Sequence, residues 1–223
     1  MHARVAAFEN PDMSRTDELI GLVRDRQSQG KELPDALGMY MLVDRAGGKA
    51  LGLSIFENED AIRAAEPVFE RMGDEIPEEI RGKRVSVDTY EVALHEVSGE
   101  PAAARLSSLS GDAGKLDDGI RAAVDDVLPE IREVDGWKGI IMLVDRATGV
   151  SKAITLWESQ AAMAASEGQA TAMRQRTADA AGEKITAVER SVWSVTSVSR
   201  STPTTSALRE DPARMSSFAT PSA

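Results

Sequence analysis

The stretch that decides the fold is Met41-Leu42-Val43-Asp44-Arg45, because it recurs as Met142-Leu143-Val144-Asp145-Arg146. The shift between the two is 101 positions, from 41 to 142. The same shift carries other residues of the first half onto similar residues of the second: Arg4-Val5 onto Arg105-Leu106, Phe56-Glu57 onto Trp157-Glu158, Glu66 onto Glu167 and Met72 onto Met173. One gap-free shift from the first strand to near the last predicts a tandem duplication.

Each copy is predicted to have the order β-α-β-β-α-β, since strand alternation and helical periodicity follow one another in that sequence. The expected strands are 4–8, 37–44, 49–56 and 84–95, then 105–109, 137–145, 150–157 and 185–195; the expected helices are 17–26, 59–72, 116–133 and 160–181. Pro67 should kink or shorten its helix, because it lacks an N–H group. We therefore expect two tandem ferredoxin-like units, 1–98 and 102–198, that pair within the chain as an α+β barrel, followed by a disordered tail, 199–223.

Composition excludes several classes of function. The chain is 42% hydrophobic and 28% charged, which is typical of a water-soluble protein. Its net charge of −11 opposes binding to nucleic acid or to an anionic membrane. No apolar run approaches the ~18 residues of a membrane span. There is no cysteine, hence no disulfide or thiolate metal site. A cytoplasmic protein is the expectation.

Aromatic residues at the ends of the third strands are candidates for a ligand site. Strand alternation places Trp157 on the face of Ala153 and Thr155, and Phe56 on the face of Gly52 and Ser54. Small residues beside one large ring leave room either for a ligand or for a closely packed helix.

Other rings are also concentrated on strands, which suits a flat hydrophobic or aromatic ligand. A packed aromatic core explains the same pattern. The predicted ligand-binding residues are Trp157, Trp137, Tyr40, Phe56 and Trp193.

The charged motifs and the histidine each have a structural explanation beside the functional one. Asp44 and Asp145 fit hairpin turns. His95 is either a general base or a residue at a strand end. Arg174 and Arg176 either clamp an anion or lie on a solvated helix face. Catalytic residues are therefore not identified.

The order of elements, together with Trp157-Glu158-Ser159 at the end of a strand and the helix that follows, resembles the antibiotic biosynthesis monooxygenase-like family. Phe56-Glu57-Asn58 is a weaker copy of that motif. The resemblance implies a dimeric α+β barrel and covers about residues 1–98 and 102–197. That family includes cofactor-independent oxygenases of polycyclic aromatics, haem degraders and proteins without known activity.

The resemblance also implies where a haem ligand would lie, namely at a helical histidine nine residues after the tryptophan. Ser166 and Ala65 occupy the matching positions, and neither residue binds haem iron. We therefore expect no haem, no other cofactor and no metal.

Three functions remain open from the sequence: a cofactor-independent monooxygenase acting on a small aromatic compound, a non-catalytic small-molecule-binding or stress-associated protein, and a structural pseudo-dimer without a ligand. The chain is expected to be a monomeric pseudo-dimer or a homodimer. Because Trp137, Trp157 and Trp193 all belong to the second copy, we expect any site to lie mainly there.

Overall fold

The structure, a computed structural model, describes residues 1–28, 33, 35–189 and 193–199. The predicted tail lies outside the described residues, apart from its first residue, Ser199, which ends the last strand. The side chain of Trp193 is also outside the described part.

The described residues form nine strands where eight were expected. They are β1 (His2–Glu9), β2 (Ala36–Asp44), β3 (Lys49–Phe56), β4 (Lys83–Val97), β5 (Ala103–Ser110), β6 (Trp137–Asp145), β7 (Val150–Trp157), β8 (Lys184–Glu189) and β9 (Trp193–Ser199). Seven lie at or near the predicted positions, whereas two strands at opposite ends of the sheet, β8 and β9, stand in place of the single expected strand 185–195. The hairpin turns β2–β3 and β6–β7 have the predicted chemistry. Asp44 Oδ1 accepts hydrogen bonds from the amides of Ala46 and Gly47, and Asp145 Oδ1 accepts from those of Ala147 and Thr148.

The helices are α1 (Thr16–Ser28), α2 (Glu59–Glu75), α3 (Glu78–Arg81), α4 (Leu116–Arg121), α5 (Leu128–Arg132), α6 (Gln160–Ala165) and α7 (Glu167–Ala181). A π-helical segment, Ala122–Val127, joins α4 to α5. Short 3-10 turns, Met13–Arg15 and Ala113–Lys115, precede α1 and α4. Asn58 and Ser159 cap the N-termini of α2 and α6, since their side chains accept from the amides of Ala61 and Ala162.

The expectation that Pro67 would shorten its helix was wrong. The helix that contains Pro67 is continuous over its 17 residues, whereas the corresponding helix of the second half is divided at Ser166 into α6 and α7. Arg105 explains the division. Its Nη2 donates to the Met163 carbonyl, which also accepts from the Ser166 hydroxyl at 2.8 Å. A buried guanidinium thus takes up a helical carbonyl and bends the chain there.

The strands form one antiparallel sheet in the order β8-β5-β7-β6-β4-β1-β3-β2-β9. β4 joins the halves: its residues 83–91 pair with β1 and its residues 91–97 pair with β6. β9 in turn pairs with β2 of the first half. The hydrogen-bonded order is open, and its two end strands, β8 and β9, are consecutive along the chain. The predicted α+β class and the pairing of the two halves within one chain are confirmed.

The two faces of the sheet bury separate cores. On the inner face, one cluster draws residues from both halves, among them Val5, Leu53, Ile141 and Leu156. The other face carries the helices, with Phe56 in the core of the first half and Trp157 in that of the second. Period-two alternation along each strand separates the two sets. Each helix-covered cluster lies mainly in one half, although Leu94 of β4 packs against the clusters of the second half.

Candidate ligand-binding site

A cleft of about 620 Å³ lies in the first half, between the helix-covered face of the sheet and α1, α2 and α3. Small residues make its floor: Ala6 of β1 and Ala50, Gly52 and Ser54 of β3. A Cβ atom added at Gly52 would meet no atom within 4 Å. The floor is therefore open because the sheet offers almost no side-chain volume there.

The walls of the cleft are largely apolar. Strands contribute Phe8, Met39 and Met41, helices contribute Leu19, Phe69 and Met72, and Ile76 follows the end of α2. Methionine side chains are flexible and polarisable, so walls that contain three of them adapt to the outline of a ligand. Gly73 of α2 also faces this space, and a Cβ there would again meet nothing within 4 Å.

Arg4 is the most buried of the charged residues that line the cleft. Its side chain is only 5% exposed and forms a two-fold hydrogen bond with Glu66 of α2: Nε to Oε2 at 2.9 Å and Nη2 to Oε1 at 2.8 Å. The guanidinium also lies 4.0 Å from the centre of the Phe69 ring. The Arg4 guanidinium holds the pKa of Glu66 below its ordinary value. The pair therefore stays ionised at neutral pH.

Charges of both signs surround the mouth of the cleft. Arg81, Lys83 and Arg84 are balanced there by Glu70, Asp74 and Glu78. Arg81 also closes the end of α2, since its Nε donates to the carbonyls of Gly73 and Ile76 at 3.1 Å. The mouth has no strong net charge and does not by itself favour an anionic or a cationic ligand.

The second half fills the corresponding space with Arg174. This residue stands at the position of Gly73, its side chain is 9% exposed, and its Nη1 lies 3.4 Å from Ser107 Oγ. Ser107 itself replaces Ala6. Because an arginine side chain stands in the second half where the first half has only a hydrogen atom, the first half has room that the second lacks at this position.

The structure brings two of the predicted ligand residues, Trp157 and Trp137, together in the second half and places Phe56 and Tyr40 in the first. Trp157 is fully buried in the second half, with its indole Nε1 donating to Thr155 Oγ1 at 3.1 Å. Trp137 is its cross-strand partner and packs against the same core. The Trp137 indole N–H is buried with no acceptor among the described residues.

The other predicted residues lie in the first half or outside the described side chains. Phe56 is fully buried beside the cleft and makes an edge contact with Phe69, with ring centres 6.2 Å apart. Tyr40 is among the residues that line the cleft. It also belongs to the inner-face cluster, and its hydroxyl bonds His95 Nε2 at 2.7 Å. The Trp193 side chain is outside the described part. A site built from all five remains a prediction.

Sequence reasoning missed Phe69, Gly73 and the Arg4–Glu66 pair, although it singled out Gly52 and Ser54 as small residues that leave room. The signal was present in the 101-residue shift, which aligns Gly73 with Arg174 and keeps arginine and glutamate at both 4/66 and 105/167. Where the two copies differ in side-chain volume, the copy with the smaller residue is the one that has space for a cleft. Positions where both keep a charged pair mark a shared structural element.

Two general features of the described residues bear on the type of site. Among them, no three His, Cys, Asp or Glu side chains are grouped so as to hold a metal ion. No described helix has the length and apolar character needed to cross a membrane.

Comparison with known proteins shows the fold. No protein-family model matches the chain. A solved structure of an anthrone oxidase-like protein superposes with a TM-score of 0.62 at 12% identity, covering 93% of this chain and 96% of that one. A proposed monooxygenase from Fusobacterium nucleatum gives 0.63 at 12% identity over 89% of this chain and 94% of that one. The chain thus has the ferredoxin-like fold of antibiotic biosynthesis monooxygenases.

Relatives in sequence come from Mycobacterium tuberculosis. One uncharacterised protein is 29% identical over 153 residues, which is 67% of this chain and 68% of that protein. A second is 36% identical over 75 residues, or 34% of this chain and 32% of that protein. Neither carries a described activity.

Proposed function

We propose that this α+β protein binds a small, flat, largely apolar compound in the cleft of its first half. The observation that carries the proposal is the open volume itself: about 620 Å³ between a floor of small residues and walls of methionine and aromatic side chains. Concave, mostly apolar clefts of 300–1,000 Å³ with few polar groups are the usual form of small-molecule sites. The cleft offers that combination on rigid elements.

The difference between the halves supports a binding role for the first. If the cleft were a packing defect, nothing would favour keeping both its floor and its lid free of side chains. Gly52 of the floor and Gly73 of α2 face the same space from opposite sides, and both leave it empty. Helix-interior glycine is destabilising by about 1 kcal/mol relative to alanine, so its presence at position 73 has a stability cost that ligand binding would explain.

The test is an equilibrium titration with 1-naphthol, followed by the fluorescence of the compound. Gly73→Arg introduces the side chain that the second half carries, and we expect it to weaken binding at least tenfold. Gly168→Arg is the matched control, because Gly168 is also a helix glycine facing open space but lies exposed in the second half. Gly52→Val fills the floor instead and serves if Gly73→Arg does not fold. Unchanged binding in both cleft variants would rule out this site.

A second candidate is oxidation of the bound compound, with dioxygen as oxidant and no cofactor. The likeness of fold to an anthrone oxidase-like protein and to a proposed monooxygenase favours it. In such a step an activated CH₂ group becomes a carbonyl, one oxygen atom enters the product and the other leaves as water. Dioxygen uptake with anthrone, faster than the uncatalysed rate and lost in Gly73→Arg but not in Gly168→Arg, would support it. Equal dioxygen uptake by the wild-type protein, Gly73→Arg and Gly168→Arg would argue against oxidation in the cleft, and the proposal would then be limited to ligand binding.

A further inference from the structure

Arg4 places a hydrogen-bond donor inside the cleft. Its Nε and Nη2 atoms are occupied by Glu66, but its Nη1 makes no hydrogen bond with any described residue. Arg4 lines the cleft and its side chain is 5% exposed, so this remaining donor is largely shielded from bulk water. A donor held in an apolar site without its own partner favours a ligand that supplies an oxygen acceptor.

The surroundings of Arg4 fix its orientation. The two-fold bond to Glu66 and the face of Phe69 hold the guanidinium plane from two directions. Little side-chain entropy is therefore lost when a ligand oxygen meets Nη1. Because the guanidinium is held in one orientation, it favours ligands whose oxygen atom lies within hydrogen-bonding distance of Nη1.

The charge of Glu66 narrows the class of ligand. Because the carboxylate already compensates the guanidinium, the pair has no net charge to attract a free anion strongly. The walls around it are apolar. A carbonyl or phenol oxygen on an aromatic frame satisfies the donor without bringing a full, desolvated charge into the site.

The second half shows the same arginine used differently. Arg105 is 2% exposed in its side chain, and its Nη2 contacts the Met163 carbonyl, Ser166 Oγ at 3.3 Å and Glu167 Oε2 at 3.0 Å. There the residue ties a divided helix to the sheet. Glutamate partners the arginine in both halves, and in the first half the arginine also lines an open cleft.

We propose that Arg4 is the ligand-anchoring residue, and that Nη1 donates to a carbonyl or phenol oxygen of a flat aromatic ligand. The inference rests on the proposed function, since it concerns the same cleft. It adds the chemical class of the ligand and the residue that recognises it. Glu66 is then a positioning residue, which acts through Arg4.

The experiment compares 1-naphthol with naphthalene, which has the same rings without the oxygen, in direct titrations. We expect the wild-type protein to bind 1-naphthol about tenfold more tightly, as a bond to a charged donor allows. Arg4→Met/Glu66→Gln removes the donor without leaving a buried charge unpaired. In that variant the ratio of the two affinities should fall to about one.

The matched control is Arg105→Met/Glu167→Gln, which makes the same change in the second half and should keep the wild-type ratio. A general loss of protein stability weakens the binding of both compounds equally and leaves the ratio of their affinities unchanged. A change in that ratio therefore reports the role of Arg4 in binding and not a loss of folding. If Arg4→Met/Glu66→Gln still binds 1-naphthol about tenfold more tightly than naphthalene, Arg4 is not the ligand-anchoring residue. If both compounds still lose binding in Gly73→Arg, the cleft stands while the role of Arg4 falls; if neither compound depends on Gly73, the proposed site itself falls.

Discussion

Tyr40 Oη and His95 Nε2 lie 2.7 Å apart on the inner face of the sheet, and their rings meet edge to face with centres 5.9 Å apart. The contact joins β2 to the part of β4 that pairs with the second half. Burial raises the pKa of Tyr40 to about 12 and lowers the pKa of His95 below its ordinary value of 6.5. At neutral pH both groups are therefore uncharged.

This pair predicts how stability depends on pH. Because the folded state holds His95 at a lowered pKa, the unfolded chain takes up the proton first as pH falls. The free energy of unfolding should be independent of His95 above pH 6.5 and decrease from pH 6.5 down to the folded pKa. Urea unfolding of wild type and His95→Gln across that range tests this. A wild-type slope equal to that of His95→Gln would contradict it.

The Arg4–Glu66 pair predicts a loss of stability on Glu66→Gln. The substitution leaves the Arg4 guanidinium, buried in the sheet face, without its carboxylate. Since Glu66 is 41% exposed, water compensates part of the loss, and we expect about 1–2 kcal/mol rather than the larger value of a fully buried pair.

The matched control for that experiment is Glu70→Gln, on the exposed side of the same helix, which should change stability by less than about 0.5 kcal/mol. Because the pKa of Glu66 is lowered in the folded protein, Glu66 stabilises the fold above its pKa in the unfolded chain. That stabilisation is lost as the pH falls through the pKa of Glu66 in the folded protein. Equal effects of the two substitutions in chemical denaturation at neutral pH would argue against a stabilising pair.

A side chain at Gly139 is predicted to destabilise the protein. It lies where β6 meets the end of β4, and an added Cβ would stand 2.4 Å from the Glu96 carbonyl oxygen and 2.9 Å from Val97 Cα. Gly139→Ala must push the two strands apart and should destabilise the protein by about 1–3 kcal/mol. Gly168→Ala, in an exposed and open helix position, should instead be neutral or stabilising. Thermal melts of the two variants provide the measurement.

Trp157 separates the two possible locations of the ligand. It is fully buried in the core of the second half, with its indole bonded to Thr155. Trp157→Phe should lower stability by about 1–2 kcal/mol because it leaves unfilled space and removes that bond. Affinity for 1-naphthol should stay unchanged if the cleft of the first half is the site. A large loss of affinity, with the protein still folded, would favour the second half as the sequence suggested.

The expected strand 185–195 is replaced by two strands, β8 and β9, at opposite ends of the sheet. The other seven expected strands could be predicted from the sequence because the repeat supplies each pattern twice. The break at Ser166 could not, since it depends on where the side chain of Arg105 reaches, and that residue is 61 positions away. The prediction of a shortened helix at Pro67 failed for a related reason. The missing N–H group of proline is a local effect, and it does not show how the contacts of the other residues stabilise a helix of 17 residues.

The candidate site was predictable only in part. Gly52 and Ser54 pointed to spare volume beside Phe56, and they do line the cleft. Attention to aromatic residues pointed instead to Trp157, whose ring is fully enclosed. The number of aromatic residues indicates how large a buried core can be. A cleft, in contrast, forms where a side chain is missing. Gly73 is recognisable as such a position only when it is compared with Arg174, its counterpart in the second copy.

The two-sided pairing of β4 has a consequence for how the molecule comes apart. Residues 83–91 complete the sheet of the first half, and residues 91–97 complete that of the second, on one uninterrupted strand. Neither half can melt without exposing hydrogen-bonding groups of the other, so the described residues should unfold in a single cooperative transition. Amide protons of β4 near Glu91 should then exchange with solvent only through global opening, at the slow limit of the whole protein.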